Sequence, residues 1–113
     1  MTANLQFVNM VLDLLSEMGP VNHQRMFGGA GLFMDSVMFA LIAGEILYLK
    51  VDAQNQPAFE DLSLGPFTYE RQGKRIALSY FEAPDECFDD PDVMMDWCQD
   101  AWQAAKRSKN VGN

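Results

Sequence analysis

The chain has 113 residues, 49% of them apolar, and its 16 acidic residues outnumber its 8 basic ones to leave a net charge of −8. That length fits one domain with a core of its own, and no apolar run reaches the roughly 20 residues of a membrane helix. An acidic surface repels phosphate backbones, and two cysteines form no zinc or redox spacing, so direct duplex binding, a metal scaffold and a disulfide scaffold are all disfavoured.

In chain order, the spacing predicts a helix over 4–18. Leu5, Val8, Leu12 and Leu15 recur at three and four, and Phe7, Val11, Leu14 and Met18 widen the stripe. Thr2 or Asn4 can cap it, and Gly19-Pro20 stops it. Residues 24–34, 37–43 and 45–51 read as three strands. Asp35-Ser36 and Ala43-Gly44-Glu45 are links short enough to join only antiparallel neighbours. "VMFALIA" is apolar on both faces, which marks a central strand. Residues 52–62 read as a short helix with Asp52 as its cap, and Phe67–Arg71 with Lys74–Phe81 as a hairpin turning at Gln72-Gly73. Asp90-Pro91 starts a last helix over 91–107, with Met94, Trp97, Cys98, Ala101 and Ala105 on its inward face. Residues 1–108 are expected to form the domain and 109–113 a disordered tail.

Gly28, Gly29 and Gly31 crowd the segment "RMFGGAGLF". A dinucleotide fingerprint needs a further glycine where Met34 stands and a helix after it, and a Walker loop needs Gly-Lys-Ser/Thr. Neither is present, so the glycines read as a sharp strand bend, which leaves a bare patch of backbone.

Together "RMFGGAGLF", "FALIAGEILYLKVD", "PFTY" and "SYFEAPDE…DDPDVMMDW" resemble the N-terminal domain of the TfoX/Sxy competence-regulator family, across positions 7–107. Ala30 departs from an expected aromatic and Phe81 from an expected Trp. The resemblance implies an α+β fold like that of the secretion chaperones. It agrees with the order read from the residues, α-β-β-β-α-β-β-α, a two-layer arrangement of a five-stranded, mainly antiparallel sheet packed on helices. It also implies a cytoplasmic regulator of competence genes that works with the transcription machinery or the cyclic-AMP receptor protein. Longer members add a helical second domain, which is expected to be missing here. The resemblance brings no catalytic residues with it.

The residues themselves point to contact rather than catalysis. Acidic neighbours hold Cys87 as a thiol, Cys98 falls on an inward helix face, and His23 has no ligand cluster beside it. The acidic run from Glu82 to Asp100 lacks the turn glycine of a calcium loop. No metal, cofactor or catalytic residue is therefore expected. The candidate interaction surface is Arg25, Phe27, Tyr69, Arg71, Lys74, Arg75 and Trp102. The surplus of Met and aromatic residues, with the two-faced strand, predicts a homodimer or a partner-binding sheet face. The main expectation is a non-enzymatic regulatory domain acting through protein contacts. The alternative is a small-ligand sensor with a pocket between the sheet and the first helix.

Overall fold

The computed structural model describes residues 4–26 and 28–111, the side chains of 110 and 111 excepted. The elements are α1 (Leu5–Leu14), β1 (Val21–Met26), β2 (Gly29–Met34), β3 (Val37–Ala43), β4 (Ile46–Lys50), α2 (Gln56–Glu60), β5 (Pro66–Arg71), β6 (Lys74–Glu82), a 3-10 turn (Asp85–Phe88) and α3 (Pro91–Val111). The fold is α+β. One antiparallel sheet has six strands in the order β1-β2-β3-β4-β6-β5.

The sheet has one strand more than expected. Residues 24–34 do not form one coiled strand. Met26 pairs with Gly29, so the chain reverses between them, and Gly28 takes φ 74 in that reversal. The paired strand also begins earlier, at Val21. A positive φ of this size is the left-handed region that glycine enters at no steric cost. Gly29 is required for a different reason: a Cβ there would collide with the Ile42 carbonyl oxygen on β3. The glycines thus make a hairpin turn and a close backbone approach instead of a bend within a strand. Phe27 lies outside the described residues.

The other short links behave as their length requires. Asp35-Ser36 (φ 51 and 64) and Gln72-Gly73 (φ 53 and 77) both put two successive residues at positive φ, the turn that matches strand twist. Asn4 caps α1 through its side-chain oxygen, which accepts from the Phe7 amide at 3.2 Å. Asp52 is not the cap of α2. It forms a turn one step earlier, accepting from the Gln54 and Asn55 amides at 2.9 and 3.3 Å. Helix α3 continues to Val111, so residues 109–111 belong to it rather than to a tail, and 112–113 lie outside the described residues.

Register decides which side chains share a face. The rows Ala30–Ile42–Leu47 and Leu32–Ala40–Leu49–Phe81 point at the helices. There they meet Val8, Val11 and Leu15 from the first helical segment and Met94, Cys98, Ala101 and Ala105 from α3, forming one buried core. The next row, Gly31–Leu41–Tyr48–Glu82, projects from the opposite face. Leu41 is buried there without belonging to the helix-side core. "VMFALIA" is therefore apolar on both faces because both faces of its strand are covered, one by helices and one by neighbouring side chains.

Candidate functional site

Three surfaces among the described residues bear on function. The first is a cleft of about 570 Å³ between α1 and the β1–β2 hairpin. Its geometry follows from how α1 is held. Asn4 donates through its amide to the Gly44 carbonyl at 3.1 Å and through its side chain to Glu45 at 2.9 Å, which fixes the helix start to the β3–β4 turn. Val8, Val11 and Leu15 then pack onto the core, and β1, an edge strand, stands away from the helix start. Leu5 and Val8 line one side, His23 and Arg25 the other, with Gly29 and Ala30 between them. Among the described residues of the hairpin, Gly28 and Gly29 contribute no side chains to the cleft and Ala30 only a methyl, while Met26 also lines it.

The second is the helix-free sheet face. Tyr48 and Phe67 meet edge to face at 5.2 Å, and Phe67 stacks on Tyr69 at 6.4 Å. Lys50 lies 5.2 Å from the Tyr80 ring and donates to the Ser79 hydroxyl at 2.5 Å. The Tyr80 hydroxyl donates to the Met38 carbonyl at 3.4 Å, and burial pushes its pKa up to about 12. Met26 and Met38 close over Gly31, each with a sulfur about 3 Å from where a Cβ would stand. Met26, Met38, Tyr48, Phe67 and Tyr80 are all half-buried, so this face is apolar yet partly open to water.

The third is the tip of the β5–β6 hairpin. Arg71 and Lys74 flank the turn as a register pair. Arg75 is turned back on its own strand pair, donating to Thr68 at 3.3 Å and lying 3.9 Å from Glu70.

The expected interaction residues therefore do not form one patch. Arg25 stands on β1 and Tyr69, Arg71, Lys74 and Arg75 on the β5–β6 hairpin, at opposite edges of the sheet. Five strand spacings separate those edges, about 24 Å. Trp102 belongs to neither group. Its indole N–H donates to the Met34 carbonyl at 3.0 Å, and Lys106 sits 3.7 Å above its ring, so it links α3 to the end of β2. Trp97 donates to Glu86 at 3.0 Å and packs edge-on against Phe59 at 5.1 Å.

Cys87 and Cys98 are both fully buried. Desolvation, with Glu86 second, pushes the Cys87 pKa up to about 12, and burial raises that of Cys98 further. Both are held as thiols. Among the described residues, no group of three or more His, Cys, Asp or Glu is placed to hold a metal ion. Among the same residues, no helix is long and apolar enough to cross a membrane.

One polar constellation had no signal in the sequence. Arg107 grips Asp52 with two bonds, Nε to Oδ2 at 2.6 Å and Nη2 to Oδ1 at 3.1 Å. Asn55 completes it, accepting from the Asp52 amide at 2.7 Å and donating to the Lys50 carbonyl at 3.0 Å. The Arg107 guanidinium holds the Asp52 carboxyl below the usual carboxylate range, against a smaller opposing effect of burial. This arrangement clamps the end of α3 to the β4–α2 corner. Its partners are 55 residues apart, so local pattern could not pair them.

Comparison with known proteins agrees with this architecture. The model of the TfoX N-terminal domain family matches residues 13–105. The DNA transformation protein TfoX1 of Aliivibrio fischeri is 24% identical over 94 residues, covering 83% of this chain. The chain spans 45% of that relative's length. The chain belongs to the TfoX N-terminal domain family.

Proposed function

We propose that this TfoX N-terminal domain is a non-enzymatic, cytoplasmic regulatory module that acts through protein contacts on its helix-free sheet face. The role implied by its family is transcriptional control of competence or related genes. The observation that carries the reading is the chemistry of that face. It presents Met26, Met38, Tyr48, Phe67 and Tyr80, all half-buried, where an antiparallel sheet bathed in water would carry alternating polar residues. Aromatic and Met side chains of this kind are enriched in protein interfaces, and Lys50 and Glu82 share the face with them. The net charge of −8 argues for a protein partner over a phosphate backbone. The name of the similar protein, a DNA transformation protein, is consistent with a role in DNA transformation.

The partner class is the transcription machinery, including the cyclic-AMP receptor protein, with a second copy of the chain as the competing occupant. The test is retention of purified RNA polymerase and purified cyclic-AMP receptor protein by the immobilised chain at physiological salt. We expect retention of at least one, lost in a folded Phe67→Glu variant. Retention of neither, with a monomer by light scattering, overturns the reading.

A second reading is favoured by one observation, the cleft of about 570 Å³ between the sheet and the first helix. In that reading the domain senses a small ligand there and passes its occupancy to the partner face.

A further inference from the structure

We propose that the cleft between α1 and the β1–β2 hairpin takes a small organic anion, with one carboxylate or phosphate headgroup on an apolar body. This rests on reading the cleft as a ligand pocket and adds the class of ligand. At about 570 Å³ the cleft lies within the roughly 300–1,000 Å³ typical of small-molecule sites.

Its walls divide by chemistry. Val8 and Ala30, each 2% exposed, form an apolar floor. Leu5 stands at the rim, 64% exposed, a large apolar side chain that a ligand's hydrocarbon would cover. The polar side chains are Arg25 and His23. They are two apart on β1 and paired with Leu32 and Ala30, so strand alternation puts both on the helix side of the sheet.

Charge selects the ligand's sign. The chain carries −8, yet the cleft is lined by an arginine and a histidine and by no carboxylate. The ion pairs among the described residues are Arg75–Glu70 and Arg107–Asp52, so Arg25 is in neither. A guanidinium outside those pairs can donate two parallel bonds to a carboxylate or phosphate, and it repels a cation from the same place. The headgroup would sit at Arg25 with His23 beside it, and the apolar body would lie along Val8 and Leu5.

The test is calorimetric titration of the whole chain with hexanoate, hexyl phosphate, hexanol and hexylamine, with methyl NMR shifts at Leu5 and Val8 reporting location. We expect one of the two anions to bind at least about tenfold tighter than hexanol, and hexylamine to bind no better than hexanol. The tighter anion identifies the headgroup. Arg25→Gln should remove the tenfold preference and Arg25→Lys restore part of it; Arg25 is exposed, so neither change threatens the fold. Hexanol binding as tightly as the anions, with shifts at Leu5 and Val8, leaves a ligand pocket and overturns its anion preference. An anion preference unchanged in Arg25→Gln overturns the assignment as well. No binding by any probe at millimolar concentration overturns both the pocket and its ligand class.

Discussion

Single side chains carry consequences that can be ranked by what each would meet. At Gly29 an added methyl runs into the Ile42 carbonyl, which is backbone and cannot step aside. Gly29→Ala should therefore cost about 3 kcal/mol in urea unfolding. At Gly31 the obstacles are the far ends of Met26 and Met38. Flexible thioether chains can yield, so Gly31→Ala should cost only about 1 kcal/mol. The difference between the two neighbouring glycines checks the β2–β3 register directly. Asp52 gives a pH signature. Its side chain is 18% exposed and bidentately held by Arg107, and its carboxyl titrates below the unfolded value of about 3.9. Its stabilisation is therefore complete above that pH and is lost as pH falls through the depressed folded value. Asp52→Asn should cost about 1–2 kcal/mol at neutral pH, and the gap to the native chain should close in acid. The thiols of Cys87 and Cys98, buried and held protonated, should resist a disulfide reagent at pH near 8 until urea unfolds the chain.

Elements were legible to the extent that their signals are local. The apolar stripe from Leu5 to Leu15, the Asn4 cap and the Asp90-Pro91 start are short-range features. The helices begin where those features place them, at Leu5 and Pro91. The extra strand was not legible. "VNHQRM" is exposed at its four middle positions and half-buried only at its two ends, so it carries no period-two pattern. Without that pattern, Gly28-Gly29 reads equally well as a bulge or as a hairpin turn. Turn chemistry offers a check on the opposite edge. Gln72 sits at φ 53, where Asn is far better tolerated. Gln72→Asn should therefore stabilise the β5–β6 hairpin by about 0.5 kcal/mol. Trp102 ties α3 to β2 through one hydrogen bond to the Met34 carbonyl, so Trp102→Phe should lose about 1 kcal/mol. That tie, like the Asp52–Arg107 clamp, joins residues far apart in sequence, which is why neither was visible before the fold was known.

At the scale of the whole molecule, the sheet separates two kinds of surface. One face is closed by α1 and α3 over a continuous core, and the other is coated with half-buried Met and aromatic side chains. The surplus of such residues was readable from composition, and the two-faced β3 strand pointed to a covered sheet. Their gathering on one face needed the register. The basic residues were equally readable, but their division between opposite edges depends on the strand order β1-β2-β3-β4-β6-β5. The methionines on the two faces provide the sharpest single measurement. In a methyl-labelled sample titrated with purified RNA polymerase or cyclic-AMP receptor protein, the Met38 resonance on the helix-free face should shift or broaden, while Met94, fully buried on the inward side of α3, should stay unchanged. If Met38 stays where it is at saturating partner, or Met94 moves as far as Met38 does, the helix-free face is not the contact surface.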